Sequence, residues 1–125
     1  MPKFLALASY TSEGIKGITK AGGTARRAVA DKMMKSLGGR LEAFYFAFGE
    51  NAAYVFFDVP DNSTAAAISL AVTETGVVRL KTIVLLTPEE MDQAMKKPVY
   101  YEPPGWEGQE VAKDIDRLIG EGGKD

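Results

Sequence analysis

Acid–base chemistry in this chain has few side chains to draw on. Its 125 residues include no histidine and no cysteine. Thiolate nucleophiles, disulfides and thiolate metal sites are thereby excluded. So is the one side chain whose ordinary pKa lies near neutrality. A general base would have to be a carboxylate, a lysine or a tyrosine with a shifted pKa. Without imidazole or thiolate ligands, zinc, haem and non-haem iron are not expected, and no cofactor is assigned.

Among the residues that remain, Tyr45, Asp58 and Arg79 sit on strand-like segments and are the candidates for a polar cluster. Asp58 or Glu42, held in a dry pocket, would titrate high and could accept a proton. Arg79 and Lys81 share a strand face with Val77 and Ile83. If that face is buried they need carboxylate partners such as Asp58 or Glu42, because unpaired buried charge is costly. Lys16 and Arg26 could place cations at the mouth of a cavity walled by Phe44, Phe46, Phe48 and Phe56. The plainer readings are solvated helix positions for the two cations, and core or interface packing for Tyr45 and the phenylalanines. Gly22-Gly23 precedes a helix start, where phosphate could bind. It matches neither the P-loop nor the dinucleotide fingerprint, and reads as a hinge.

Bulk composition narrows the partners. Apolar residues make up 46% and charged residues 26%, with a net charge of −2, as in ordinary globular domains. No basic excess suggests nucleic-acid binding. No positively charged stretch precedes the first apolar segment, and no apolar run approaches the roughly 20 residues of a membrane span. A cytoplasmic protein without a membrane segment is expected.

The elements that must position these residues follow from period and caps. Lys3–Tyr10 is an apolar run of strand length. Thr11-Ser12-Glu13 starts a short helical turn over Gly14–Ile18. Thr24 is the expected cap of a longer helix with a stripe of Ala25, Val29, Met33 and Leu37, closed by Gly38-Gly39. Arg40–Phe48 and Ala52–Val59 read as strands of a hairpin around Gly49-Glu50-Asn51. A helix follows over Thr64–Thr75, capped from Pro60–Ser63. Val77–Thr87 is a β-branched strand, and Thr87-Pro88-Glu89-Glu90 opens a short last helix. The order β-α-β-β-α-β predicts an α+β, ferredoxin-like, four-stranded antiparallel sheet with its helices on one face.

Strand alternation predicts that both faces of this sheet are buried. In the second strand Leu41, Ala43 and Tyr45 alternate with Glu42, Phe44, Phe46 and Phe48. In the third, Val55 and Phe57 alternate with Tyr54, Phe56 and Asp58. A sheet with water on one side should alternate apolar with polar. A homo-oligomer formed through the sheet face is therefore expected, with Phe44, Phe46, Phe48 and Tyr54 at the interface. Residues 98–125 form a separate part. It holds a Pro-rich arm carrying Tyr100, Tyr101 and Trp106, which could add to that interface, then one more helix within 105–119.

The stretches PKFLALASYTSEGIKGI, LGGRLEAFYFAFGE, VPD and VVRLKTIVLLTPEEM, in this order and spacing, resemble the GYD-domain family over about residues 2–95. The resemblance implies a ferredoxin-like domain of the dimeric α/β-barrel type and carries no biochemical activity with it. Tyr10, Gly14, Ile15, Lys16, Gly39 and Tyr45 fit the family pattern, and Tyr10 and Lys16 join the candidate pocket on that ground. The Gly-Tyr-Asp signature is altered: Gly49 and Glu50 are kept, but Asn51 and Ala52 stand where the Tyr and Asp would be. A GYD-type domain over 1–97 with an extension over 98–125 is the expected organisation. The function expected is an oligomeric, non-enzymatic module for a small apolar or aromatic ligand or a partner protein. The alternatives are a cofactor-free enzyme on an aromatic or polyketide-like substrate and a purely structural assembly protein.

Overall fold

The computed structural model describes residues 1–106. The described residues fall into two units, Met1–Leu85 and a second that begins at Leu86. In the first unit β1 (Lys3–Tyr10), α1 (Ser12–Ala21), α2 (Gly23–Ser36), β2 (Arg40–Phe46), β3 (Ala53–Asp58), α3 (Asn62–Glu74) and β4 (Val78–Leu85) follow in order. The strands form one antiparallel sheet in the order β2-β3-β1-β4. This is the ferredoxin-like α+β arrangement that the element order predicts.

The core lies between the sheet and helices α2 and α3. Phe4, Ala6 and Ala8 of β1 and Ala53, Val55 and Phe57 of β3 bury against Met34 of α2 and Ala65 and Ile68 of α3. Phe4 and Phe57 stack with ring centroids 5.4 Å apart. The alternate residues of β1, namely Lys3, Leu5, Leu7 and Ser9, point to the opposite face.

Local chemistry explains the joints. The Thr11 hydroxyl accepts a hydrogen bond from the Gly14 N–H at 3.2 Å and caps α1. α1 runs ten residues rather than the single turn expected, and Gly14 lets its first turn lie close to Val77, just before β4. A Cβ there would lie 2.6 Å from the Val77 carbonyl oxygen. Gly22 breaks the helix at φ +96° and itself caps α2, two residues before the expected Thr24. The apolar stripe is also rotated. Arg26, Ala30, Met33 and Met34 turn inward, whereas Val29 is exposed. A one-residue shift moves a helix face by about 100°, and a four-residue spacing read over three turns does not fix the phase. Gly39 crosses the end of β3 so closely that a Cβ would meet the Asp58 carbonyl oxygen at 2.3 Å. Asp61 caps α3 by accepting from the Thr64 N–H at 2.8 Å.

The second strand departs most from expectation. It ends at Phe46, not Phe48, and it carries a bulge. Leu41 stands opposite Phe57 while Ala43 stands opposite Phe56, so Glu42 is the extra residue. An extra residue reverses the alternation beyond it. Leu41, Phe44 and Phe46 therefore share the helix-covered face, and Ala43 and Tyr45 share the other. The expected pairing of Leu41 with Tyr45, and of Glu42 with Phe44, Phe46 and Phe48, is overturned.

In the second unit, α4 (Pro88–Met95) opens on a capping box. The Thr87 hydroxyl accepts from the Glu90 N–H at 3.1 Å, and the Glu90 carboxylate accepts from the Thr87 N–H at 3.0 Å. Residues 98–106 form neither helix nor strand. Tyr100, Tyr101 and Trp106 are exposed. The helix expected within 105–119 lies, from residue 107 onward, outside the described residues.

Candidate functional site

Register fixes the layout of the sheet face that helices α2 and α3 leave uncovered. One row across β3, β1 and β4 reads Asp58, Lys3, Leu85. The next, from β2, reads Ala43, Phe56, Leu5, Ile83, and the third reads Tyr45, Tyr54, Leu7, Lys81. Beyond these, Ser9 stands opposite Arg79. The middle of the face is apolar and aromatic. Leu5, Leu7, Tyr54, Phe56 and Ile83 are each partly exposed. None of helices α1–α3 has its inward residues on this side.

One corner is a charge network. Asp58 lies 10% exposed and accepts from Lys3 Nζ at 3.0 Å and from the Arg40 guanidinium at 3.0 Å. Lys3 also pairs with Glu42, which the bulge brings to the same corner. Burial pushes the Asp58 carboxyl up, but the bonds from Lys3 and Arg40 outweigh it and hold Asp58 below the usual carboxylate range. The bond to Glu42, then that to Asp58, raises Lys3 above an ordinary lysine. Asp58 is thus an ion-pair anchor rather than the high-titrating base that a dry pocket would produce. Nor does it partner Arg79 or Lys81, since Lys3 and Arg40 take that place. Among the described residues Arg79 and Lys81 have no ion-pair partner.

The remaining candidates fall on different surfaces. Tyr45 is exposed on the uncovered face, in a row with Tyr54. Phe56 lies at the centre of that face. Asp58 and Arg79 stand at opposite ends, six residues apart in the register of β1, or roughly 20 Å. One chain therefore does not assemble Tyr45, Asp58 and Arg79 into a cluster. Tyr10 is on the helix-covered side, where burial raises its phenol and the Arg26 charge pulls it partly back. Lys16 is exposed on α1. Phe44 packs against the core, edge-on to Phe46 at 5.1 Å. Phe46 lies over Gly23, where a Cβ would touch its ring at 3.0 Å. Phe48 is fully exposed in the turn after β2.

Several hollows lie around the core, including two that hold candidate residues. A shallow groove of about 480 Å³ runs along the edge of β2, between Thr24, Arg27 and Asp31 of α2 and Leu41–Tyr45. A smaller one of about 70 Å³ lies inside the α/β layer, with Tyr10 and Arg26 among its apolar walls. Among the described residues no group of carboxylates is placed to hold a metal ion, and no helix is long and apolar enough to cross a membrane.

The GYD-domain model matches residues 4–95. The chain belongs to the GYD-domain family. No curated protein and no solved structure matches it. Within this GYD domain the match spans all four strands and α4 and stops before the aromatic arm. Sequence reasoning missed Lys3 and Arg40. The signal that could have found them is the position of Asp58, a carboxylate on an otherwise apolar strand that demands cationic neighbours across β1 and β2.

Proposed function

We propose that this GYD domain is a non-enzymatic, oligomerising module whose uncovered sheet face packs on the same face of a second copy, as in a dimeric α/β barrel. The observation that carries the reading is the row of Phe56, Leu5 and Ile83, with Tyr54 and Leu7 beside it, on the side away from every core-packing helix.

Three features favour a second copy over an unrelated partner. Sheets share one hand of twist, so a face of this kind is complementary to its own copy at a spacing of about 10 Å. The charged corner holds two cations and two carboxylates already paired with one another, so it does not repel its equivalent. The area also suffices. Four strands by seven residues give about 19 by 23 Å, or roughly 450 Å². Two such faces bury about 900 Å² before side-chain relief is counted, near the roughly 1,000 Å² at which specific interfaces begin. A reversible dimer is the expected state.

The test is native mass spectrometry and light scattering across a concentration series. The parent protein is expected to dimerise. Leu5→Glu places a charge at the centre of the face and is expected to weaken the dimer by about a hundredfold or more. Leu70→Glu, on the exposed side of α3, is expected to leave it intact. A monomeric parent, or a Leu5→Glu variant that dimerises unchanged, would overturn the proposal.

A further inference from the structure

The centre of the core is built from unusually small residues. On β1, the strand flanked by β3 and β4, the inward positions read Phe4, Ala6, Ala8, Tyr10. Two alanines sit where interior strands usually carry Val, Ile or Leu. Above them α2 offers Ala30, another small residue, with the thioethers of Met33 and Met34 alongside. The result is a hollow of about 70 Å³ between the sheet, α2 and α3. Close-packed interiors do not normally leave such a space. Its walls are apolar except for Tyr10 and Arg26. Arg26 has no ion-pair partner among the described residues, although it is partly buried and turned toward the core side of α2.

A guanidinium with no carboxylate partner among the described residues, beside an apolar hollow, is half of a recognition site. Away from Tyr10 and Arg26 the walls offer water few polar partners, so an apolar body there displaces little well-bound water. A cavity of about 150 Å³ accepts a benzene ring. Half that volume admits a chain of about four carbons, and the flexible methionines can widen it modestly. The anionic end of such a molecule would meet Arg26 in a charge-assisted bond, with the Tyr10 ring beside it.

We propose that the hollow between the sheet and helices α2 and α3 binds a short aliphatic carboxylate, its chain over Ala6 and Ala8 and its carboxylate on Arg26. The site belongs to one chain and is independent of how the uncovered face is used.

The full-length protein, labelled with ¹³C at the methionine methyls, is titrated with butyrate and separately with 1-butanol at neutral pH. Butyrate is expected to shift the Met33 and Met34 methyl signals saturably, and 1-butanol to bind more weakly. Arg26→Gln, a change in the lining of the hollow, is expected to weaken butyrate about tenfold or more while leaving 1-butanol unchanged. Ala8→Leu fills the hollow and is expected to abolish both. Absence of a saturable shift overturns the proposal. So does equal binding of butyrate and 1-butanol, or an Arg26→Gln variant that binds butyrate as the parent does. If Ala8→Leu fails to fold, the Arg26→Gln comparison alone decides.

Discussion

Replacing Asp58 by Asn tests the charge network directly. The substitution keeps the side chain's shape and removes its charge. Two charge-assisted hydrogen bonds are lost or weakened, from Lys3 and from Arg40, each 3.0 Å long. They are not equal. The Arg40 side chain is 67% exposed, so its bond is worth about 0.5 kcal/mol. Lys3 is 28% exposed and keeps more, about 1.5 kcal/mol. An amide buried in place of a carboxylate recovers part of the desolvation cost. Lys3 also retains Glu42. The net expected loss is about 1–2 kcal/mol, or roughly 5–15 °C in Tm for a domain of this size. The pH dependence separates electrostatics from packing. Asp58 titrates below the ordinary carboxylate range in the folded chain. Its contribution is therefore present above the unfolded value of about 3.9 and is lost as pH falls through the lower folded value. Urea midpoints of parent and Asp58→Asn, measured from neutral pH into acid, are expected to differ most near neutrality and to converge at the acid end. A loss that stays constant across that range would mean that packing, not charge, sets the effect. A loss under about 0.3 kcal/mol at neutral pH would refute the network as a stabilising element.

The remaining expectations concern backbone and caps. Gly39→Ala is expected to cost about 2 kcal/mol or more in urea unfolding, since its Cβ would lie 2.3 Å from the Asp58 carbonyl oxygen and 2.8 Å from Val59 Cγ1. Gly17→Ala, inside α1 with open space around it, is expected to stabilise by about 0.5–1 kcal/mol. Thr87→Ala removes the hydroxyl of the capping box. It is expected to raise amide exchange in the first turn of α4, corresponding to about 1 kcal/mol. Tyr10 is raised by burial, so the stability it supports is complete below the unfolded phenol value of about 10 and falls as pH rises through the higher folded value. Alkaline denaturation of Tyr10→Phe is expected to be correspondingly less steep, as read by circular dichroism.

The fold was legible where local chemistry is self-contained. Thr87-Pro88-Glu89-Glu90 signals a helix start in four residues, and the structure places a full capping box there. The β1 run and the hairpin announce themselves by apolar runs and by Gly49-Glu50-Asn51. Faces were legible only where the period is unbroken. On β1 and β3 strict alternation holds, and Phe56 and Tyr54 lie where alternation puts them. On β2 it does not. RLEAFYF contains no glycine and no proline to mark a bulge, and the extra residue, Glu42, is held at a corner by Lys3, 39 positions away. A contact that distant leaves no local trace. The phase of α2 was hidden for a related reason. Val29 and Leu37 look like core residues, but Arg26 takes an inward position that a hydrophobic stripe assigns to an apolar side chain.

The bulge also decides what the domain can offer a partner. Without it, Phe44 and Phe46 would join Phe56 on the uncovered face, and Leu41 would share a face with Tyr45. With it, the two phenylalanines close the helix layer at the start of α2, and Tyr45 joins Tyr54 in the open row. The same residue that shifts the register, Glu42, supplies the second carboxylate for Lys3. That carboxylate balances Arg40 and brings the corner to zero net charge. A neutral corner next to an aromatic row is what face-to-face packing of identical copies requires, because a residue near a two-fold axis meets itself and an unbalanced charge there would be repelled. Register and charge balance at this edge are therefore one feature. Deleting Glu42 leaves Ala43 opposite Phe56 and Phe44 opposite Val55, so the two faces are expected to keep their residues while Lys3 and Arg40 are left to share Asp58 alone.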